Sequence, residues 1–463
     1  MRVKIHFIGI GGIGVSALAQ YCLSKNHKVS GSDLVSSEIT DFLKKSGAEI
    51  FIGPHSTKNL AEGTGLVIYS PAVKSDNPEF KEAQKLGIKI QSYPQALGDL
   101  TKKYFTIAVS GTHGKSTTTA MIALVLIKAG FNPTVILGTK LKEFGNSNFH
   151  LGGIPNSKAT LRGVPHSVRS SQIPDSKILV IEADEWQASF LNYWPKIIVL
   201  TNIEKEHLDY YKDLNHILKT YKEYLSHLPK DGVLVVNGDD KNISKIKNQK
   251  SKFQIKIQNF SIKQKETKIL KKILKIPGEH NIYNALAALT AARILNILDK
   301  VSLKALSGYK GAWRRYGVIK GEIDNKKITI ISDYAHHPTE VRVTLEAVRQ
   351  KFSNQKIWCV FQPHQYQRTH YLFDEFVNTF RQVQDNHFTD KMIVTDIYDV
   401  AGREKKKTKT EVSSRKLVEK VKKSDVIYLP KEKIINYLKN NLKVGDILII
   451  MGAGDIYKLI GKF

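Results

Sequence analysis

Residues 105–119 have the sequence FTIAVSGTHGKSTTT. An apolar, β-branched run stops at Ser110 and Gly111, and the chain then continues as a segment compatible with a helix. In a strand–loop–helix unit of this kind, backbone N–H groups and the helix N-terminus hold polyphosphate oxygens, a lysine reaches the terminal phosphates and a hydroxyl meets magnesium. The stretch therefore predicts a phosphate-binding loop in which Lys115 and Ser116 fill the last two roles.

This loop departs from the general nucleotide-binding pattern, which has a glycine near the end of the strand as well as one before the lysine. Val109 stands at the position of that earlier glycine. What remains is the shorter Gly-Thr-His-Gly-Lys-Ser. An incidental Gly-Lys-Ser in an ordinary strand-to-helix turn is the alternative interpretation.

Length and composition favour a multidomain protein of a reducing compartment. A chain of 463 residues is long enough for about three domains. The formal net charge is +28, but the lysines are spread along the chain and their clusters lack interleaved aromatic residues, so we favour a solvated surface over nucleic-acid binding. Cys22 and Cys359 lie far apart, which disfavours a disulfide framework. The apolar runs are too short for a membrane span, so we expect a cytoplasmic protein without nucleic-acid or membrane partners.

A second glycine-rich loop lies near the N-terminus, where a short apolar strand runs into GIGGIG. Its glycines are Gly9, Gly11, Gly12 and Gly14. The next strand ends on Asp33, at the spacing of the dinucleotide-binding fingerprint in which an acidic residue meets a ribose. Further strands alternate with helix-like segments, so we predict a doubly wound α/β unit here. A tight turn without a ligand is the alternative.

Two apolar strands after the phosphate loop end in acidic residues. The first, in KILVIEADE, is followed by Glu182, Asp184 and Glu185. The second, in KIIVLTNIEKEHLD, is followed by Glu204, Glu206, His207 and Asp209. The carboxyl ends of parallel strands share one edge of a sheet, so these groups predict a magnesium site beside a triphosphate. Each carboxylate alone is more commonly a helix cap or a solvated charge.

Two connecting segments carry weaker signals. Residues 143–175 are polar, rich in glycine, proline and serine, and without periodicity, which predicts a mobile loop. Residues 278–284 predict a glycine and asparagine turn before an alanine-rich helix, with asparagine in its usual capping role.

The C-terminal part again alternates strands and helices, and its motifs DYAHHPTE (333–340) and FQPHQYQRT (361–369) each follow a strand. The predicted fold class is α/β with three domains. These are an N-terminal Rossmann-like domain (1–102), a central P-loop ATP-binding α/β domain (103–312) and a C-terminal Rossmann-like α/β domain (313–463).

The order of these motifs resembles one known family. The chain contains, in the order found in the Mur ligase superfamily, the motifs GIGGIG, SGSD, YSPAVKSDNPE, SGTHGKSTTT, EADE, TNIEKEH, GEHNIYNA, RRY, DYAHHPTE and FQPHQYQRT. The resemblance covers nearly the whole chain, and the compact phosphate loop is then a family feature. It implies an ATP-dependent carboxylate–amine ligase that uses Mg2+.

The resemblance also assigns roles to individual residues. It implies ATP contacts at Gly111, Thr112, His113, Gly114, Lys115, Ser116, Thr117, Asn281, Asn284, Arg315 and Asp333. It implies substrate contacts at Gly9, Gly11, Gly12, Gly14, Asp33, Ser70, Tyr334, His337, His364 and Arg368. Catalytic roles fall to Lys115, Glu182 and His207, and metal binding to Ser116, Glu182 and His207.

The reaction implied is the joining of L-alanine to the lactyl carboxylate of UDP-N-acetylmuramate through an acyl phosphate, in peptidoglycan precursor synthesis in a bacterial cytoplasm. One alternative is a recycling ligase that adds a tripeptide to the same UDP-sugar. Another is a catalytically lapsed nucleotide-sugar-binding protein. Both a monomer and a homodimer are compatible with the sequence.

The chain departs from the family pattern at several positions. Gln365 stands where an arginine is common, which removes one bidentate carboxylate partner and leaves the preferred amino acid open. Trp186 replaces a small polar residue. Some relatives carry a carbamoylated lysine; Lys219 and Lys222 have plausible helical spacing, but we interpret them as part of a solvated helix face.

Overall fold

The structure is a computed structural model that describes residues 2–153, 178–247, 255–400 and 406–463. Over these residues the chain has a three-domain α/β architecture with three sheets. It forms two compact units. The first contains Met1–Glu204, Asn215–Ile273 and Tyr283–Tyr309, and the second contains Lys205–Leu214, Leu274–Ile282 and Lys310–Phe463. In the described ranges, every helix is too short or too polar to span a lipid bilayer.

The N-terminal sheet has five parallel strands in the order β3-β2-β1-β4-β5. Its strands are β1 (Lys4–Ile8), β2 (Lys28–Asp33), β3 (Glu49–Ile52), β4 (Thr64–Tyr69) and β5 (Lys89–Ser92). Its helices are α1 (Ile13–Ser24), α2 (Glu38–Lys45), α3 (Pro78–Lys85) and α4 (Tyr93–Thr101). The strand order reverses between β1 and β4, where open sheets of this type bind ligands. The glycine loop follows β1 and Ser70 follows β4, so both lie at that position.

The middle sheet has seven strands in the order β12-β11-β10-β6-β9-β7-β8. They are β6 (Phe105–Ser110), β7 (Thr134–Leu141), β8 (Ser147–His150), β9 (Ile178–Glu182), β10 (Ile197–Leu200), β11 (Val233–Asn237) and β12 (Lys256–Phe260). The helices of this part are α5 (Lys115–Lys128), α6 (Leu214–Leu225), α7 (Lys241–Lys247), α8 (Glu266–Ile273), α9 (Glu279–Ile294) and α10 (Asp299–Leu306). β6 is buried and lies between β9 and β10, so the phosphate loop emerges between the two acidic strand ends.

The third sheet has six strands in the order β13-β14-β18-β15-β16-β17. They are β13 (Gly317–Ile323), β14 (Lys326–Asp333), β15 (Ile357–Phe361), β16 (Lys391–Val394), β17 (Val426–Tyr428) and β18 (Ile447–Met451). The helices are α11 (Pro338–Lys351), α12 (Tyr366–Tyr371), α13 (Phe373–Asp385), α14 (Lys406–Glu411), α15 (Ser414–Val421) and α16 (Ile434–Asn441). Apolar side chains fill both faces of this sheet. The motifs at residues 333–340 and 361–369 therefore begin at the carboxyl ends of β14 and β15.

The α/β fold class and the three-domain architecture are confirmed, whereas two local predictions are wrong. The segment from residue 143 is not a loop throughout, because Ser147–His150 forms β8 and pairs with β7. Ser147 and Asn148 of this strand are polar although they are buried, so the sequence lacks the apolar pattern that indicates a buried strand. The part of that predicted loop at 154–175 lies outside the described residues.

The predicted turn across residues 278–284 is also wrong, because the turn ends at Gly278, which has φ +97°. α9 begins at the next residue. Asn281 and Asn284 are consequently helical and do not cap the helix.

Candidate active site

Two glycines with positive φ shape the loop after β6. A Cβ on Gly111, at φ +131°, would lie 2.1 Å from Thr201 Oγ1. A Cβ on Gly114, at φ +82°, would lie 2.3 Å from Asn284 Oδ1. No side chain fits at these distances, so the close approach requires glycine at both positions. α5 begins at Lys115 directly after the loop, and the helix N-terminus is therefore part of it.

The end of β10 braces the loop. The Thr112 N–H donates to the Asn202 carbonyl at 3.0 Å, and the His113 N–H donates to Asn202 Oδ1 at 2.8 Å. Thr201 Oγ1 donates to the His113 carbonyl at 2.7 Å. The backbone N–H groups of Thr112 and His113 thus bond within the protein. The N–H groups that lack intrahelical acceptors are those of the first turn of α5. Sequence reasoning missed Thr201 and Asn202, although polar residues at a strand end beside the loop were a usable signal.

Lys115 points back into the loop. Its Nζ donates to the carbonyls of Gly111 and Thr112 at 2.7 and 3.2 Å, and it lies 2.8 Å from a carboxylate oxygen of Glu185, which is 2% exposed. Burial lowers the pKa of Lys115, but the charges of Glu185 and Asp184 outweigh this effect and raise it above its ordinary value. The lysine is therefore charged at neutral pH, and its ammonium is held inside the loop after β6. Glu185, which the strand-end pattern predicted as a magnesium carboxylate, is instead the main counter-charge of Lys115.

Ser116 and Glu182 lie together at the edge of the loop. Ser116 Oγ donates to Glu182 Oε2 at 2.9 Å, and the Gly138 N–H donates to Glu182 Oε1 at 2.5 Å. A Cβ on Gly138 would lie 2.7 Å from Glu182 Oε2, so β7 approaches this carboxylate closely because it has a glycine there. A hydroxyl and a carboxylate oxygen are the hard ligands that Mg2+ prefers. The pair therefore fits the predicted metal site, while His207 belongs to the second unit.

The two candidate asparagines have different surroundings. Asn284 lies against the phosphate loop, where Thr118 Oγ1 donates to its Oδ1 at 3.1 Å. The side chain of Asn281 instead donates to the Pro277 carbonyl at 2.6 Å, within the second unit. The structure therefore brings Asn284 to the loop. Thr117 is buried in the first turn of α5.

The N-terminal glycine loop assembles around Asp33. The Gly11 N–H donates to Asp33 Oδ2 at 2.8 Å. Gly9 has φ +77°, and a Cβ there would lie 3.0 Å from Ser70 Cβ. The glycine loop and the carboxyl ends of β2 and β4 thus bring together the residues predicted for the nucleotide-sugar end, namely Gly9, Gly11, Gly12, Gly14, Asp33 and Ser70.

In the second unit, the residues after β14 pack around two arginines. Arg314 and Arg315 place their guanidinium carbons 4.9 and 4.8 Å from the ring centre of Tyr334. Asp333 accepts hydrogen bonds from the N–H groups of Tyr316 and Ala335 at 2.8 and 2.9 Å. Burial raises the pKa of Asp333. Both of its oxygens therefore take part in the fold of the third domain.

Arg368 is the centre of a buried polar cluster in the same unit. Its Nε donates to Glu206 Oε1 at 2.9 Å, and it bonds His364 Nδ1 at 3.0 Å. His337 Nε2 lies 4.0 Å from Glu206 Oε2. Burial alone would raise the pKa of Glu206, but Arg368, His207 and His337 hold it well below its usual range. This cluster contains a charged ion pair whose acidic member, Glu206, was predicted as a magnesium carboxylate and instead pairs with Arg368.

A small cavity opens beside this cluster. It is lined by Glu206, His207, Leu208, Asp209, Gln365, Arg368, Tyr371 and Leu372. Two of these residues have positive φ without being glycine, His207 at +54° and Gln365 at +73°. Such conformations are costly and persist where the surroundings impose them, often at functional sites. Gln365, which stands where the resemblance implies an arginine, is a neutral member of this lining.

Comparisons with known proteins agree with this architecture. The family described as "Mur ligase family, catalytic domain" matches residues 4–105, "Mur ligase middle domain" matches 109–292, and "Mur ligase, glutamate ligase domain" matches 314–454. The UDP-N-acetylmuramate–L-alanine ligase of Acetivibrio thermocellus is 39% identical, over 98% of this chain and 94% of its own.

Solved structures of two ligases have a similar fold over nearly the whole chain. The UDP-N-acetylmuramate–alanine ligase of Thermotoga maritima superimposes with a TM-score of 0.76 at 26% identity, over 100% of this chain and 98% of its own. A murein peptide ligase from Psychrobacter arcticus has a TM-score of 0.71 at 22% identity, over 99% of this chain and 98% of its own, and is a likeness of fold alone. Over nearly its whole length, the chain therefore belongs to the Mur ligase family of ATP-dependent ligases.

Proposed function

We propose that this protein joins L-alanine to the lactyl carboxylate of UDP-N-acetylmuramate, with ATP as co-substrate, in peptidoglycan precursor synthesis in a bacterial cytoplasm. The observation that carries the proposal is the phosphate loop in which Lys115, Ser116 and Glu182 converge, in the same compact unit as the glycine loop. The name of the A. thermocellus relative supports the choice of substrates.

In this proposal the N-terminal loop binds the UDP part of the sugar nucleotide. Asp33 and Ser70 would approach the nucleotide from the two strand ends that flank the loop. Asp33 already accepts from the Gly11 N–H, so its second oxygen is the one expected to meet a ribose hydroxyl.

ATP would bind at the central loop, with its phosphates on the first turn of α5 and its terminal phosphate at Lys115. Asn284 is the candidate for the adenine side. Ser116, Glu182 and His207 would hold Mg2+, which when bound supplies charge neutralisation and orientation of the phosphates. Arg315 and Asp333 are proposed third-domain contacts of the nucleotide.

The chemistry follows from what a carboxylate lacks. A carboxylate is a poor electrophile, so a lactyl oxygen first attacks the γ-phosphorus and ADP leaves. The amine of alanine then attacks the acyl carbon of the resulting acyl phosphate. Inorganic phosphate departs with the former carboxylate oxygen, and the amine loses a proton as the amide forms. Lys115 contributes by stabilising charge on the transferring phosphoryl group.

The amino acid is proposed to bind near Arg368, with Tyr334, His337 and His364 around it. The Arg368 guanidinium is buried and bonded to Glu206, so its position is fixed before any ligand arrives. Gln365 is a neutral residue where the family resemblance implies a second arginine, so the preferred amino acid does not follow from the arginines alone. L-alanine is the amino acid that we propose.

The test is phosphate release from purified protein given ATP, magnesium, UDP-N-acetylmuramate and one amino acid at a time. We expect release to depend on both the UDP-sugar and L-alanine. Release stimulated only by an alanine-initiated tripeptide would identify the recycling reaction. Binding of the UDP-sugar without any ATP consumption would identify a lapsed enzyme. Sedimentation of the same preparation distinguishes a monomer from a homodimer.

A further inference from the structure

The contact between α1 and the β7–β8 hairpin contains buried polar side chains. Ser16 and Gln20 come from the helix that follows the glycine loop, and Ser147 and Asn148 come from β8. Buried polar groups are costly unless they are hydrogen-bonded. These four polar side chains lie where two sheets of the same compact unit meet, so they must be hydrogen-bonded to one another or to the backbone.

The four side chains form a connected network. Gln20 Nε2 donates to Asn148 Oδ1 at 2.8 Å, and Ser147 Oγ donates to Gln20 Oε1 at 2.9 Å. Asn148 Nδ2 donates to Ser16 Oγ at 3.0 Å and also to the carbonyl of Ile13. Ile13 stands between two glycines of the N-terminal loop. The Asn148 amide thus joins the middle sheet to the backbone at the start of α1, between Gly12 and Gly14.

The same hairpin reaches the phosphate site. Gly138, on β7, donates its N–H to Glu182, which in turn accepts from Ser116. β7 also pairs directly with β9, the strand that ends in Glu182. One hairpin therefore contacts the glycine loop at one position and the proposed metal carboxylate at another.

The hairpin itself is firmly packed. A Cβ on Gly152 would lie 2.3 Å from the Asn132 carbonyl oxygen, and the Gly152 N–H donates to Thr134 Oγ1 at 3.1 Å. The ring of Phe149 meets that of Tyr21 edge to face at 6.4 Å. A hairpin anchored in this way can keep the glycine loop at a fixed position relative to the Glu182 carboxylate.

We propose that Asn148 is a positioning residue that fixes the glycine loop, and with it the sugar carboxylate, relative to Ser116 and Glu182. The inference rests on the proposed function, because this relative position matters only if a ligand of the N-terminal domain reacts with a ligand of the central domain. The glycine loop keeps its own shape through Gly11 and Asp33, so loss of Asn148 disturbs alignment more than binding.

The test compares Asn148→Leu with wild type, measuring kcat, the Kd of UDP-N-acetylmuramate, the Kd of ATP and the melting temperature. Leucine has a similar volume but cannot bond to Ile13 or Ser16. We expect kcat to fall by about tenfold or more, because small misplacements of reacting groups cost rate, while both Kd values stay within about twofold. Gln20→Met removes the bonds of Gln20 to Asn148 and Ser147 but leaves Asn148 its own bonds to Ile13 and Ser16. It should give a smaller fall in kcat and decides the question if Asn148→Leu does not fold.

Thr290→Val is the control, since it removes one buried hydroxyl bond, to the Leu286 carbonyl, that involves neither loop. Unchanged kcat in the Asn148 or Gln20 variant, a fall matched by Thr290→Val at equal loss of melting temperature, or a raised UDP-sugar Kd with unchanged kcat would each overturn the inference. Absence of turnover in the wild type would instead overturn the proposed function, and the inference with it.

Discussion

Lys115 and Glu185 form the most consequential residue pair in the site. The carboxylate is 2% exposed and lies 2.8 Å from the ammonium. Removing one member of such a pair leaves a buried group without its counter-charge, which destabilises a protein by about 3–5 kcal/mol. A single substitution of Lys115 would therefore confound a loss of catalysis with a loss of stability.

We predict that the double variant Lys115→Met with Glu185→Gln folds but loses turnover by a factor on the order of 10²–10³, because the charge that stabilises the transferring phosphoryl group is gone. Alanine-dependent phosphate release and the melting temperature are measured together. Lys128→Met, an exposed lysine at the end of the same helix, is the control. Turnover in the double variant close to that of the control would exclude Lys115 from the chemistry.

At this scale the sequence identified residues that bear recognisable chemistry and missed those that support them. Lys115 and Ser116 were predictable because their types and spacing suit a phosphate loop. Glu185 stood among several acidic residues, and its burial against Lys115 depends on the packing of β9 beside β6. Asn202 was missed, and the pairing of Glu206 with Arg368 was not predicted, because their partners are distant in the chain.

The loop after β6 depends on glycine for two separate reasons, a positive φ and the space around it. Gly111 has both constraints. Gly145, in the same compact unit, has φ +70°, but a Cβ added there would meet no atom within 4 Å. Substitutions at the two positions therefore distinguish the effect of backbone strain alone, at Gly145, from strain combined with a steric clash, at Gly111.

We predict that Gly111→Ala displaces Thr201 and raises the Kd of ATP by about tenfold or more, whereas Gly145→Ala costs only about 1–2 kcal/mol of folding free energy and leaves ATP binding unchanged. Titration calorimetry with ATP and chemical denaturation measure the two effects. Equal ATP affinity in both variants would show that the close packing of the loop is not needed for binding.

The N-terminal sheet and α3 share a buried carboxylate, Glu79, which accepts from His6, Ser32 and Asn59 at 3.0, 2.6 and 2.7 Å. Burial alone would raise the pKa of Glu79, but these hydrogen bonds lower it from 4.5 to about 2. A depressed carboxyl pKa stabilises the fold above the unfolded value and loses that effect as the pH falls through the folded value.

We therefore predict that Glu79→Gln is less stable than wild type by about 1–3 kcal/mol at neutral pH. The difference should shrink as the pH falls from 4.5 towards 2. Urea unfolding across this range measures it, and Glu49→Gln, an exposed glutamate on β3, is the control. A Glu79→Gln variant with the acid dependence of wild type would contradict this assignment.

For the whole molecule, the alternation of strands and helices sufficed to predict three α/β domains, because several strands, among them β4, β10 and β18, carry a continuous apolar run. β8 was missed because it is short and its buried residues are polar, and they are satisfied by Gln20 and Ser16 on α1. Such bonds join residues more than a hundred positions apart in the chain, so local pattern could not reveal them. The domain boundaries at 102/103 and 312/313 stay a prediction.

The central claim is that one molecule of ATP activates the lactyl carboxylate before the amine attacks. It is tested by synthesising UDP-N-acetylmuramate with 18O in that carboxylate and analysing the released phosphate by mass spectrometry in the presence of L-alanine. Transfer through an acyl phosphate predicts that each phosphate formed carries one oxygen from the labelled carboxylate. Unlabelled phosphate, label in AMP, or no L-alanine-dependent phosphate at all would contradict the account.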